Sequence, residues 1–387
     1  MLLDIRPEKC FLDFCLESKK KYIENGWPNP RLETWRLTQL PKLINQEFSF
    51  QCVDRIDFNT NNNSLKPEAL NLNSINYFRS KYFCNHLMTE VSLSNFSSGF
   101  NLNIPENIKF NNEIKLSSFV KENQWSSPVI VINVGENSEV KISLDIEMTS
   151  NSMSTPMISL NIMKGANVSF GVNIFNNNKK VNIESSNIAS IESNLFDESK
   201  LNMAIAQQGI NVSRTDVNVC LNGERSEFYL DGIYFGRDNQ HNDITTCVNH
   251  LSEGTISRQI IRGILDDKST GVYQGGIKVS KIAQKTDGQQ MSRALLLSEL
   301  AESNSKPELE IFADDVSCSH GATIGELNLD QFFYLLSRGI NKTRAREILI
   351  IAYLHELIDS VNNEELAMML NNSVDYWLNQ NNLNIAA

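Results

Sequence analysis

A series of short alternating segments constrains the fold of this chain more than any other feature. Four of them, SEVKISLDI, ANVSFGVNI, SKLNMAIAQ and SEFYLDGIY, begin at a polar turn and then alternate apolar with small or polar residues. This is the pattern of half-buried strands. Their first apolar residues are Val140, Val168, Leu201 and Phe228, and a similar run starts at Ile256, so the intervals are 28, 33, 27 and 28 residues. Short strands at such intervals predict the stacked coils of a solenoid.

We therefore predict a mainly β fold whose core is a right-handed parallel β-helix. The predicted core covers residues 96–327, between an N-terminal helical or mixed region at 1–95 and a C-terminal helical domain at 328–387. No long helical segments separate the strands, which argues against a doubly wound α/β sheet. A β-sandwich, with turns every 8–12 residues, is the alternative. Each coil of a β-helix leaves an open edge, so the stack needs caps or partners at its ends.

The flanking regions show helical patterns. Near the N-terminus, EKCFLDFCLESKKKYIENG has apolar residues at helical spacing, and NTNNNSLKPEALNLNS further on is typical of a loop. Three C-terminal helices are predicted: one from an Asn328 cap to Gly339, one over about 342–361, and one ending near 380. The second helix is expected to be amphipathic, with an apolar face formed by Ile348, Ile351, Ala352, Leu354 and Ile358. Glu347, Glu356 and Asp359 are expected on its other faces.

Composition excludes several classes of function. The 387 residues carry a net charge of −11, which does not suit nucleic acid and disfavours anionic membrane surfaces. The start of the chain lacks the features of a secretory signal, and no apolar run approaches the ~20 residues that span a bilayer. Seven widely spaced cysteines are not a disulfide framework, so we expect free thiols in a soluble, cytoplasmic protein. We interpret the abundant asparagine as compositional drift of the organism.

The segment DDVSCSHGATIGEL, residues 314–327, contains the strongest chemical candidates. If it is extended, Cys318 and His320 point to the same face, and their side chains suit iron, zinc or copper. Two ligands do not complete a metal site, and a buried cysteine beside a surface histidine is the alternative. Asp314 and Asp315 could orient His320, or could form a solvated turn.

Other candidates are weaker. His241 and His250 flank Cys247 and could meet across a coil, or could be polar surface residues. The glycine pair in YQGGIKV suggests a tight coil corner rather than a phosphate-binding loop. The sequence contains no GxxxxGK[ST], GxGxxG or GxSxG motif, so it shows no recognisable enzyme centre.

Three longer segments carry a family resemblance. They are STGVYQGGIKV, AQKTDGQQMSRALLLSELA and PELEIFADDVSCSHGATIGELNLDQFFYLLSRGI, and they resemble the SufB/SufD family of iron–sulfur cluster assembly proteins. The likeness is dense over about 225–360 and weaker over 1–100, where GWPNPRLETWRLTQLPKL matches. SCSHGAT resembles the SufD branch, because SufB-like chains have a glutamate–histidine pair there. SufB-like chains also have a cysteine in the segment that matches GQQMSRALLLSE, where this chain has none.

The resemblance implies a non-catalytic scaffold subunit. Such a chain pairs with SufB through the β-helix and binds the ATPase SufC, which hydrolyses the ATP, through its C-terminal helices. His320, with Cys318 beside it, would contribute to a nascent iron–sulfur cluster shared with SufB, and the isolated chain would bind no cofactor firmly. The candidates for contact with the ATPase are Phe332, Phe333, Leu336 and Tyr353, which could equally form the core of the helical module.

Alternatives to this function stay open at this point. The isolated chain could form a homodimer through the edges that otherwise meet SufB. It could also be a structural β-helix scaffold with no role in holding a cluster. A β-helix carbohydrate-active enzyme is a third possibility, although such enzymes usually have a signal peptide and a cluster of Asp, Lys and Arg.

Overall fold

The computed structural model describes residues 6–29, 31–40, 56–60, 65–71, 73–74, 86–110, 112–176 and 184–380. Some residues lie outside these ranges, namely Cys52, Cys84, part of the predicted 59–74 loop and the last seven residues. The other five cysteines are free thiols. These residues include five α-helices: α1 Lys9–Asn25, α2 His86–Ser94, α3 Leu329–Ser337, α4 Lys342–Ile358 and α5 Glu364–Gln380. In the described part of the chain, no helix is long and apolar enough to cross a membrane.

In the part of the chain that the structure describes, nineteen strands form two sheets, which alternate along the chain. In sheet order, the nine strands of the first sheet are β1 Ile56–Asn59, β3 Ile114–Val120, β6 Glu139–Met148, β9 Asn167–Asn176, β11 Lys200–Gln208, β13 Glu227–Gly236, β15 Ile256–Leu265, β17 Thr286–Leu296 and β19 Val316–Glu326. The second sheet contains β2 Gly99–Ile104, β5 Val129–Val134, β8 Met157–Ile162, β10 Ser185–Leu195, β12 Val212–Leu221, β14 His241–His250, β16 Thr270–Val279 and β18 Glu302–Ile311, with β4 Trp125–Ser126 and β7 Ser152–Ser154 beside them.

Apart from β1, which pairs antiparallel with β3, successive strands of each sheet pair in parallel, which confirms the predicted parallel β-helix. Val140 pairs with Val168, Val168 with Leu201, and Leu201 with Phe228, as the repeat predicted. The next partner of Phe228 is Ser257, not Ile256. The prediction was wrong by one residue here because β15 begins with an outward-facing isoleucine.

Each coil also contains a strand of the second sheet that the sequence pattern did not reveal. All ten residues of β12 and all ten of β14 are buried, on both faces of the strand. A strand covered on both sides need not alternate, and many of these buried residues are polar. Period-2 patterning therefore identified only one strand in each coil.

Asparagines stack along the outer face of the second sheet. Asn133 donates a side-chain hydrogen bond to Asn103 (2.8 Å), Asn161 donates to Asn133 (2.9 Å), and Asn194 donates to Asn161 (3.1 Å). Because each asparagine of this ladder donates to the next one, the ladder gives these four asparagines a structural role that the interpretation as compositional drift did not include.

The two ends of the solenoid differ. At the N-terminal end, β1 pairs antiparallel with β3, and Glu68 forms an antiparallel bridge with Asn101 on β2. At the C-terminal end, β18 and β19 are the last strands of their sheets, and their side chains are mostly exposed or half-buried. Unpaired strand edges of this kind readily accept another strand.

Helices α4 and α5 cover the outer face of the first sheet. Ile350, Leu354 and Trp377 pack against Ile233 and Phe235, and the rings of Phe235 and Trp377 stack with centroids 5.0 Å apart. The predicted cap is present, since the Asn328 side chain accepts a hydrogen bond from the Gln331 amide. The prediction for α4 is wrong at two positions: Glu347 is buried and paired with Arg344 at 3.0 Å, while Ala352 is exposed. It is correct for Leu354 and Ile358, which are buried, and for Glu356 and Asp359, which are exposed.

Residues 33–38 dock on the outer face of the second sheet through a buried ionic network. Arg214 is fully buried and pairs with Asp216 (2.7 Å) and Asp243 (2.9 Å). Its guanidinium donates to the Thr34 carbonyl and lies 3.8 Å from the centre of a Trp35 ring. A buried charge with several partners fixes the position of the groups around it.

His241 and His250 lie at opposite ends of β14, about 30 Å apart along an extended strand, so they do not meet across a coil. They are not surface residues either, because both are buried. Thr38 bonds the His241 ring at 2.9 Å, and His250 bonds Thr255 (2.8 Å) and Ser257 (2.9 Å). Both histidines are therefore structural.

Burial lowers the pKa of His250 from 6.5 to about 3. The folded chain keeps this ring neutral while the unfolded chain takes up a proton below pH 6.5, so stability falls as the pH decreases from 6.5 toward 3. From pH 7.5 to pH 5, this group should cost about 2 kcal/mol of unfolding free energy. Urea unfolding of wild type and His250→Gln at both pH values checks this. The variant should lose about 2 kcal/mol less on acidification, and an equal loss would contradict the assignment.

Candidate functional site

The segment that contains the cysteine–histidine pair forms the last strand of the first sheet. Within β19, Cys318 pairs with Gly288 and His320 pairs with Gln290 of β17. The two side chains are two residues apart in an extended strand, as predicted, so both face the interior of the solenoid. They lie at its open end.

His320 ends a column of stacked interior residues. From the middle of the solenoid outward, the column runs through Phe170, Met203, Leu230, Gln259, Gln290 and His320. It changes from apolar to polar over the last three positions. Gln259 accepts from Thr246 at 2.6 Å, and Gln290 accepts from Tyr273 at 3.0 Å. His320 itself is exposed. The column therefore leads from a dry core to an accessible imidazole.

Cys318 lies in a more apolar setting. Its half-buried side chain packs against a cluster from both sheets that includes Ile277, Val279 and Ala313. Burial is the main cause that raises the pKa of this thiol. A hydrogen bond from Gly288 lowers the pKa, and the charge of Asp287 raises it. The thiol is therefore protonated at neutral pH and must lose its proton to bind a metal.

Asp314 and Asp315 do not reach His320. Both are exposed in the turn before β19, and five residues of extended chain put Asp315 about 17 Å from His320. The predicted role in orienting the imidazole is wrong for this reason. Their position fits the alternative of a solvated turn.

The glycine pair is not at a coil corner. Gly275 and Gly276 lie inside β16. A side chain at Gly275 would come within 2.0 Å of Gln290 Oε1 and 2.3 Å of Tyr273 Oη, so glycine leaves room for this interior hydrogen bond.

The described residues contain no group of three or more His, Cys, Asp or Glu side chains that could hold a metal ion. An iron site built on His320 would therefore need ligands from outside this part of the chain, because iron–sulfur clusters are usually held by four protein ligands.

The predicted docking residues fall into two groups. No residue of α3 is buried; Phe332 and Leu336 are half-exposed, and Phe333 is 62% exposed. Leu329 and Tyr334, which the sequence analysis did not select, are exposed as well. Tyr353 instead packs on the solenoid, with its ring 4.7 Å from the Arg262 guanidinium. It therefore belongs to the core of the helical module rather than to the free surface of α3.

These features define a β-helical protein with one open end, where a cysteine–histidine pair occupies the last strand. A family model described as the SUF system FeS cluster assembly SufBD core domain matches residues 118–353, more than half of the chain. The chain belongs to the SufBD family of iron–sulfur cluster assembly proteins. This assignment removes the basis for the carbohydrate-active alternative.

Several characterised relatives are similar in sequence. The iron–sulfur cluster assembly protein SufD of Escherichia coli K12 is 41% identical over 155 residues, which cover 40% of this chain and 37% of that protein. A SufBD family protein of Synechocystis is 37% identical over 166 residues (42% and 36%), and SufD of Bacillus subtilis is 31% identical over 143 residues (35% and 33%). The matched stretch thus spans about a third of each relative. Two of the three bear the name SufD, in agreement with the predicted branch.

Proposed function

We propose that this chain is a SufD-like, non-catalytic scaffold subunit in the assembly of nascent iron–sulfur clusters. The observation that carries the proposal is the position of His320, an accessible imidazole at the end of the interior column on the last strand of the solenoid. The names of the relatives support cluster assembly as the process. The cluster is cargo that is passed on, so a half-site in this chain suffices.

The second half of the site would come from SufB. Exposed apolar side chains lie at the C-terminal end of the solenoid, including Ile324 of β19 (48% exposed) and Phe312 (67%), which directly follows β18. A partner strand that adds to the edge of β18 or β19 satisfies the unpaired backbone groups and covers apolar surface. A pairing through β19 would bring ligands of SufB next to His320 and Cys318.

His320→Ala should reduce the cluster formed on the assembled complex by at least half. The test is co-expression with SufB and SufC, anaerobic reconstitution with iron and sulfide, and measurement of visible absorbance. Ser317→Ala, on the same strand, is the matched control and should retain the wild-type absorbance. We expect a smaller loss for Cys318→Ser, since that thiol is packed and protonated. If His320→Ala co-purifies with both partners and matches wild type, the chain is only a structural scaffold.

Helix α3 is the proposed contact with the ATPase SufC. Its exposed Leu329, Phe333 and Tyr334 form an apolar surface of the kind that inserts into a partner's groove. Phe333→Asp should weaken SufC binding at least tenfold, since a buried aromatic anchor at an interface is worth 2 kcal/mol or more (about 30-fold). Surface plasmon resonance with immobilised SufC measures this. Met368→Asp, a similarly exposed position on α5, should bind normally, and equal binding by both variants would exclude α3.

A further inference from the structure

A groove lies between the outer face of the first sheet and the C-terminal end of α4. It holds about 440 Å³, within the range of small-molecule sites. Strands β15, β17 and β19 form its floor, and Glu356, Leu357 and Ser360 form the wall. His320 and Ser319 stand at its rim. The cluster-assembly role proposed above makes no use of the rest of the groove.

Arginines dominate the charge of this groove. Among the described residues that line it, Arg258, Arg262 and Arg293 are cationic and Glu356 is the one carboxylate. Arg262 and Arg293 are direct cross-strand partners, an arrangement of like charges that destabilises a sheet unless an anion lies between them. Glu356 bridges them, at 3.0 Å from Arg262 and 2.9 Å from Arg293. Arg262 and Arg293 thus share one oxyanion. In the isolated chain that oxyanion is the carboxylate of Glu356.

The arginines retain capacity for a further anion. Arg262 is only 4% exposed, yet its Nε–H has no hydrogen-bond partner. Arg258 meets Asp231 only at 3.3 Å, and burial raises the pKa of that carboxyl to about 6. Asp231 is therefore largely ionised at neutral pH and loses its charge as the pH falls below about 6, which leaves Arg258 with less countercharge in that range. Asp287, a nearby carboxylate on the outer face of β17, accepts a hydrogen bond from the Gln289 side chain at 3.1 Å.

The floor between the arginines is apolar. Arg258 and Arg262 are about 13 Å apart along β15, with Ile260 between them. Met291 lies beside Ile260 on β17, and Gly321 lies beside Met291 on β19, where a Cβ would come within 2.8 Å of the methionine. Because Gly321 has no side chain, the surface of Met291 stays uncovered at this part of the floor. The groove offers cationic groups at its two ends and an apolar surface in the middle.

We infer that this groove binds a small phosphate-bearing molecule. Its phosphate oxygens accept hydrogen bonds from Arg258 and from the Arg262–Arg293 pair, and its less polar part lies over Ile260 and Met291. Guanidinium groups suit phosphate because they donate two parallel hydrogen bonds. Glu356 competes with the ligand for the arginine pair, so the groove includes its own internal competitor.

Isothermal titration of the full-length isolated chain with pyrophosphate, at constant ionic strength, tests this inference. We expect saturable binding of one pyrophosphate per chain. Arg258→Gln should weaken it at least tenfold, and Gln289→Glu, at an exposed lining position, should weaken it in the same direction. Glu356→Gln should tighten it several-fold by removing the competing carboxylate. Arg225→Gln, an exposed arginine paired with Glu198 elsewhere, is the control and should bind as wild type.

Three outcomes would overturn the inference: no saturable heat with wild type, equal weakening by Arg225→Gln and Arg258→Gln, or unchanged affinity in Glu356→Gln. Circular dichroism establishes that each variant is folded. Should Arg258→Gln fail to fold, Gln289→Glu decides the same point. The assay contains no SufB, SufC or iron, so its result is independent of the cluster-assembly proposal.

Discussion

Replacing Arg214 with alanine should lower the free energy of unfolding by about 3–5 kcal/mol. Arg214 is fully buried, and its removal leaves Asp216 and Asp243 buried without their countercharge. The substitution also removes the cation over Trp35 and a donor to the Thr34 carbonyl, which accepts from Gln274 as well. Residues 33–38 would lose these contacts with the second sheet and keep others, such as the hydrogen bond between Thr38 and His241. Urea denaturation at pH 7.5 measures the change.

The matched control is Arg225→Ala. Arg225 also pairs with a carboxylate, Glu198, but both side chains are about half exposed. An exposed pair contributes about 0–1 kcal/mol, so the control should remain close to wild type. Similar losses from the two substitutions would mean that burial of the Arg214 network does not determine its contribution.

Gly223→Ala should destabilise the chain by about 3 kcal/mol, at the upper end of overpacking effects. A Cβ at this position would lie 1.9 Å from the Asp197 nitrogen and 2.2 Å from the Phe196 carbonyl carbon. Both atoms belong to the backbone of the preceding coil, which no rotamer change can move. The coils must therefore separate locally to admit a methyl group.

Gly325→Ala provides the comparison for Gly223→Ala. A Cβ at Gly325, on the last strand, would meet nothing within 4 Å. Thermal unfolding followed by circular dichroism should show a clear decrease in melting temperature for Gly223→Ala and little change for Gly325→Ala. If Gly223→Ala melts with wild type, the two coils do not approach each other as closely as described.

Alternation along the strand revealed the first sheet. It identified β6, β9, β11 and β13, because their outer faces carry polar residues near the start of each strand, even though helices α4 and α5 cover the later part of β11 and β13. It did not reveal β12 and β14, whose outer faces are covered. The asparagine ladder was also missed, since its rungs are about 30 residues apart and become neighbours only through the register.

The same reasoning explains what was predicted of the site. Cys318 and His320 share a face of the strand because they are two residues apart, and this spacing can be read from the sequence alone. The sequence did not show that Gln259, Gln290 and His320 form one column, because this column depends on the register of three paired strands. The arginine groove was missed because Arg258, Arg262, Arg293 and Glu356 come from two strands and a helix. Spacing along the chain carries no signal for such a cluster.

The unequal ends of the solenoid limit what it can build. The N-terminal end is crossed by antiparallel segments, whereas β18 and β19 leave unpaired edges at the other end. If two such chains join through their open ends, the last strands of one chain pair with the last strands of the other. The N-terminal ends, with their antiparallel segments, then face outward. End-to-end association through these edges would therefore end at a pair. A difference between the two ends of a single chain can in this way set the size of an assembly.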